Sequence, residues 1–318
     1  MQIPLIFVFL LLVACSGERA TKPVPADTYN IAYNVLHDAE TDDYEIFVMN
    51  ADGSGKKNIS NWKGVDWVYD AYDDKLFFLS DRDTCYRCYF LYEMDADGNN
   101  VRKISDLRLQ DCWITLRKNG AELIINPRLD GREIFYIIDR SGNLLDSIAP
   151  PFAYMNDPVF SPDGQQIVFR AAKDRPSKER TDLDELYRIN ADGSGLQQLT
   201  HYPKDDTTAN WHDYHAGPPR WNAAQNIITY QSKLQGKYSL YAINPDGSGF
   251  HKLIKNNNLN EGWHHWSPDG NWLAIEMFDD EQTIFDIYML NWQSQEITRL
   301  TDSDTFEQAP VFVKPAKM

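Results

Sequence analysis

Residues 158–171 read PVFSPDGQQIVFRA and residues 186–200 read LYRINADGSGLQQLT. In each, apolar-rich runs flank an Asp-Gly pair, the signal of two short antiparallel strands joined by a tight turn. The 158–200 stretch therefore specifies four strands in two hairpins. Whether they form a complete domain or one unit of several depends on what recurs elsewhere in the chain.

The second hairpin opens with a five-residue pattern: aliphatic, aromatic, any residue, aliphatic, then usually Asn or Asp. It recurs as IFVMN (46–50), LYEMD (91–95), IFYII (134–138), LYRIN (186–190), LYAIN (240–244) and IYMLN (287–291). The aromatic markers Phe47, Tyr92, Phe135, Tyr187, Tyr241 and Tyr288 are 45, 43, 52, 54 and 47 residues apart. Most copies are followed by a Gly-rich turn, ADGSG at 51–55 and 191–195, ADGNN at 96–100 and PDGSG at 245–249. The preceding hairpin recurs as HHWSPDGNWLAIEM (264–277) and in weaker form at 67–80, 113–126 and 219–232. Four short strands per repeat of this length predict an all-β fold, a six-bladed β-propeller of four-stranded antiparallel blades. Only five first hairpins are complete. APVFV (309–313) is an inner strand without a partner and NIAYNV (30–35) a second strand without a first, so the ring is expected to close by pairing the two chain ends.

The paired SPDG and ADGSG turns on short, Tyr-rich blades resemble the WD40-like PD40 repeats of the TolB-like six-bladed β-propellers, over residues 29–316. The Trp-Asp and Gly-His pairs of true WD40 blades and the double glycine of kelch blades are absent. The resemblance implies an interaction module of the bacterial cell envelope, although the N-terminal domain of TolB itself has no counterpart here. Related turns occur in oligopeptidases and oligogalacturonate lyases, so the fold alone fixes no chemistry. No Gly-x-Ser-x-Gly elbow is present for a peptidase.

A formal charge of −16 and a pI near 4.8 argue against nucleic acid and anionic lipid surfaces as partners. Residues 1–15, MQIPLIFVFLLLVAC, are apolar, too short for a comfortable membrane span, and read as a signal peptide. LVAC (12–15) resembles a lipobox, which implies lipidation of Cys15, and Ser16 after it implies an outer-membrane lipoprotein facing the periplasm. Membrane contact is then through the N-terminal lipid only. Residues 16–28 read as a flexible tether and 29–318 as the propeller, expected to be a monomer. Cys85, Cys88 and Cys112 remain, and an oxidising compartment predicts one disulfide, Cys85 with Cys88 or either with Cys112.

Alternation of strand direction places the SPDG and ADGSG turns on one face and all longer connections on the other. The long ones, 172–184, 201–218 and 255–263, should build a lopsided rim over the central channel. That rim carries the candidate ligand-binding residues Trp211, His212, Tyr214, His215, Glu261, Trp263, His264 and His265. Alignment on SPDG makes Trp266 an inner-strand core residue and leaves Trp263, opposite Asp157, open to function. Side-chain alternation allows only one of His264 and His265 to face the channel. The favoured reading is a binding module without a cofactor, its ligand an envelope protein, a peptide or a saccharide. The competing reading is a metal-dependent enzyme of the oligogalacturonate (polysaccharide) lyase type. In it His212, His215 and His264 would hold a divalent transition metal, with Glu261 or Asp213 as carboxylate. Asp52, Asp97, Asp192 and Asp246 beside glycine read as turn residues, since the spaced acids of an EF-hand calcium loop are missing.

Overall fold

The computed structural model describes residues 28–82, 85–175, 182–255 and 257–317. The signal segment, Cys15 and nearly all of the tether lie outside the described residues. The described strands form six four-stranded antiparallel sheets, each in simple up-and-down order. The innermost strands, in ring order, are Glu307–Val313, Asp66–Tyr72, Thr115–Arg117, Tyr154–Phe160, Arg220–Asn222 and Asn260–Trp266. This is the expected six-bladed propeller. The closing blade joins the chain ends as the sequence predicts, with Asn30 opposite Val313, Ile31 opposite Phe312 and Val35 opposite Glu307. The 67–80, 113–126 and 219–232 segments are first hairpins, as expected.

Second strands are buried on both faces, because a blade packs against a neighbour on each side. Lys75–Ser80 and Trp272–Phe278 accordingly read as near-continuous apolar runs. Apolar clusters fill the gaps between blades. One of them joins Val168 and Leu186 of the fourth blade to Ile228 and Tyr230 of the fifth.

The Asp-Gly turns serve this packing. Gly98 and Gly142 have φ of 90° and 82°, and a β-carbon on either would lie 2.3 Å from a carbonyl oxygen of the preceding blade, that of Ile59 or Ile104. Glycine is needed there both for the left-handed conformation and for the close approach. Asp52, Asp192 and Asp246 each accept the backbone N–H and the hydroxyl of the serine two residues on, as turn residues do.

Polar side chains on or just past the second strands latch consecutive blades. Asn34 accepts the Val68 N–H at 2.7 Å, Asn126 donates to the Met155 carbonyl at 3.0 Å, and Gln231 donates to the Glu261 carbonyl at 2.9 Å. Glu276 accepts the Ala309 N–H at 3.1 Å across the seam beside the closing blade. Burial among apolar neighbours pushes its carboxyl up to about 8, with the Ala309 N–H opposing the shift.

Two outcomes follow. A chain ending at Phe306 is expected to lose cooperative thermal unfolding by circular dichroism, because it exposes the Asn30–Asp38 edge. For Glu276, the folded state holds its proton above the ordinary value of 4.5, so this group's contribution to stability declines as pH rises from there to about 8. Glu276→Gln removes that decline. The variant's melting temperature relative to the parent protein should therefore increase between pH 5 and pH 9, and a difference independent of pH would contradict the assignment.

Candidate functional site

Four innermost strands break register at a corresponding level. The breaks lie between Val68 and Asp70, Asn156 and Val159, Glu261 and His264, and opposite Ala32–Asn34 in the closing strand. A bulge leaves one or two residues outside the ladder and re-aims their side chains. Tyr69, Asp157 and Trp263 fall in these breaks, and all three line a cavity of about 550 Å³ on the loop face. Asp157 and Ala309 have φ of 54° and 48°, the backbone signature of the distortion.

The cavity floor is aromatic. Trp263 lies edge-to-face with Trp67 and with Trp113, centroids 5.6 and 6.1 Å apart, and Tyr69 lies edge-to-face on Trp113 at 4.9 Å. Beneath it, the buried Arg220 guanidinium stacks on Trp113 at 4.3 Å and donates to the carbonyls of His264 and Tyr69 at 3.2 and 3.0 Å. Arg220 thus ties the fifth blade to the second and sixth across the channel. It also lines a second, smaller depression of about 250 Å³ on the SPDG face.

One wall is a polar relay. The Trp113 N–H donates to Asp157 at 3.0 Å, and Arg170 binds Asp157 through Nε and Asp184 through Nη1, the latter at 3.2 Å. The Asp184 N–H donates to His215 Nδ1 at 3.2 Å. Burial pushes the Asp157 carboxyl up, against the pull of Arg170. For Arg170, burial works against the charge, but Asp157, Tyr154 and Asp184 outweigh it and keep the guanidinium protonated. Sequence reasoning missed Arg170 and Asp184. The available signal was a lone arginine in the otherwise apolar IVFRAA run, which a strand buried on both faces tolerates only with partners.

The candidate residues separate. Trp211, His212, His215 and Trp263 line the loop-side cavity, His212 as an exposed rim residue. Tyr214 is not among the lining residues; its φ is 65° and its hydroxyl donates to Asp206 at 3.0 Å within the same loop. Glu261 is fully buried and accepts the Leu240 N–H at 2.7 Å. In three other blades that backbone donor is satisfied by a hydroxyl, those of Ser60, Thr200 and Thr301. The fifth blade has Ile254 at this position, and Glu261 fills the role from its neighbour. The strand containing it begins at Asn260, so the 255–263 connection is shorter than the sequence suggests.

His264 packs between blades, 3% exposed, its Nε2 2.8 Å from the Thr229 hydroxyl. Burial, reinforced by Arg220 and His265, holds its pKa well below 6.5. His265 faces the channel, as alternation requires, but lies in the depression on the SPDG side, with Nε2 3.3 Å from Asp70 and Nδ1 accepting the Phe312 N–H at 3.3 Å. The proposed metal set of His212, His215 and His264 is therefore not assembled. Among the described residues no group of three or more His, Cys, Asp or Glu side chains is placed to hold a metal. Of the alternative disulfides, Cys85–Cys88 is the one formed. Cys112 is a buried thiol whose Sγ accepts the Asp157 N–H at 3.2 Å, and burial raises its pKa.

A structural role for His264 has a measurable signature. His264→Ala should lower stability by about 2–4 kcal/mol, from a lost buried hydrogen bond and the cavity left behind. The zinc content of the purified protein, measured by mass spectrometry, should be the same with and without the substitution. A loss of stoichiometric metal in the variant would restore the metal reading.

No protein-family model and no curated protein matches the sequence. Solved structures do match the fold. TolB from Acinetobacter baumannii superposes with a TM-score of 0.69 at 16% identity, over 92% of this chain and 68% of that one. A putative TolB from Agrobacterium tumefaciens gives 0.58 at 13% identity, over 90% and 98%. An oligogalacturonate lyase from Vibrio parahaemolyticus gives 0.50 at 13% identity, over 81% and 71%. At these identities the likeness is one of architecture: the chain has the six-bladed propeller fold that TolB also has.

Proposed function

We propose that this protein is an exported binding module of the bacterial cell envelope, which takes a ligand at the loop-side mouth of its propeller. The observation that carries the reading is the aromatic-floored cavity of about 550 Å³ on the loop face, with Arg220 stacked on Trp113 of that floor. A concave site with a large apolar floor and a few fixed polar groups is suited to selective binding. The TolB structures support the setting, being propellers of comparable shape. Within this reading the 1–15 segment is the signal, Cys15 carries the lipid, and residues 16–28 tether a monomeric propeller at the periplasmic side of the outer membrane. The ligand is an envelope protein, peptide or saccharide segment small enough to enter the mouth. Among the described residues, no assembled metal group supports the metal-dependent lyase reading.

Trp211 is the discriminating residue, since it is half-buried on the 201–218 loop and lies against His215 at 5.4 Å. The detergent-solubilised full chain would be screened on arrays of peptides and of oligosaccharides, beside the Trp211→Ala variant. The expected result is retention of a defined subset, weakened about tenfold or more by the substitution, as for an aromatic anchor. Unchanged binding by the variant, or no retention on either array, would overturn the reading.

A further inference from the structure

The connection between the second and third strands of the second blade carries CYRC at 85–88, and its two cysteines form the disulfide. The blade does not need this bridge to pair its strands, because the ladder runs without interruption from Lys75 opposite Asp95 to Ser80 opposite Phe90. A bridge between residues three apart also closes too short a loop to restrict the unfolded chain much. Its effect is local. It encloses Tyr86 and Arg87 in a tight turn, in which the Cys88 N–H donates to the Cys85 carbonyl at 2.9 Å. Arg87 holds a φ of 54° there, a conformation disfavoured for a residue with a β-carbon.

That turn ties the second blade to the closing blade at the edge of the loop-side cavity. The Arg87 N–H donates to Asp81 at 2.9 Å, and its guanidinium donates to Asp42 of the closing blade through Nε at 2.8 Å and Nη2 at 2.5 Å. The Tyr86 hydroxyl donates to the same carboxylate, and Arg87 Nη1 donates to the Tyr89 hydroxyl at 3.2 Å. Arg87 and Tyr89 line both the 550 Å³ cavity and a second one of about 270 Å³ on the same face. The two cysteines differ in access: Cys85 is exposed, whereas Cys88 is 4% exposed. An incoming thiolate therefore meets Cys85, and Cys88 is the leaving group. Opening the bridge breaks no ladder hydrogen bond and relieves a disfavoured turn, so the folded chain accommodates both states.

We infer that the Cys85–Cys88 bridge is a thiol–disulfide exchange site that sets the state of the cavity edge: oxidised, it holds Arg87 on Asp42, and reduced, it releases Arg87 and Tyr86 from the closing blade. The co-reactant is a protein dithiol. One of its thiolates attacks Cys85 Sγ, the Cys85–Cys88 bond breaks, and Cys88 leaves as a thiolate that takes up a proton. The partner's second thiolate then attacks its own sulfur in the mixed disulfide and releases Cys85, which is protonated in turn. Two electrons pass from the dithiol, which becomes a disulfide, to the bridge, which becomes two thiols. The site borders the cavity assigned above to ligand binding, but its state is read without a ligand.

The test compares the full chain before and after dithiothreitol, without denaturant, by maleimide labelling with mass spectrometry and by amide hydrogen exchange. Cys85 and Cys88 should become labelled while the buried thiol of Cys112 stays protected. Exchange of the 40–43 and 86–89 amides should quicken about tenfold or more, with that of 75–79 unchanged. Arg87→Gln should loosen 40–43 with the bridge intact, and no change there would contradict the inference. Cys85→Ser combined with Cys88→Ser should reproduce the reduced pattern; if that variant does not fold, the dithiothreitol comparison on the parent chain decides. A bridge that resists reduction until the chain unfolds, reduction that leaves 40–43 and 86–89 unchanged, or reduction that unfolds the whole chain by circular dichroism would each overturn the inference. No retention on the peptide and saccharide arrays in either redox state would sink the binding module alone, leaving this inference to the exchange data.

Discussion

One long-range ladder governs this molecule: Glu307–Val313 lies antiparallel to Asn30–Asp38 and converts an open array of five complete blades and one split blade into a ring. A blade in the middle of such an array buries both faces of its second strand, but the two parts of the split blade, three strands and one, would leave apolar faces and unpaired backbone groups in water. Pairing the ends removes both penalties together. It also fixes where the innermost strands point, and the central channel, its buried arginine and the loop-side cavity exist only because six strands converge on one axis.

Within the ring, the same backbone groups are satisfied by different side chains from blade to blade, and these exchanges separate structural polar residues from available ones. Ser60, Thr200 and Thr301 accept a third-strand N–H in their own blades, and Glu261 reaches across from the sixth blade where Ile254 offers no hydroxyl. Glu276 and Gln231 hold adjacent strands together. Once these roles are assigned, the buried polar atoms left over along the cavity wall stand out, notably Asp184 Oδ1 and His215 Nε2. Their unmet capacity is a property of the assembled site, because each residue's other polar atom is engaged.

The bulges show how a repeat becomes a site without losing its grammar. A regular innermost strand would present alternate residues to the channel all along its length. Breaking register at one level turns Tyr69, Asp157 and Trp263 toward the loop face, while residues past the break, such as His264 and Trp266, return to the interface between blades. The adjacent histidines are therefore ordinary members of an inner strand: one packs against Thr229, and the other faces Asp70 on the SPDG side.

The sequence by itself determined the blade count, the hairpin pairing, the closure by the chain ends and the face on which a site could form. Each of these follows from short-range periodicity and turn chemistry repeated every 43 to 54 residues, and repetition makes weak local signals unambiguous. Comparing positions across copies also separated Trp266, which the structure buries in a core cluster, from Trp263, which lines the loop-side cavity. It could not place Glu261 or His264, because their partners, Leu240 and Thr229, belong to the neighbouring blade. Nor could it find the Asp157–Arg170–Asp184 wall, whose members come from two strands and the connection before a third and acquire their meaning from burial. Only the tertiary structure decided these points: an extra residue in a strand reverses the direction of every side chain after it, and nothing in the local pattern announces where the bulge falls.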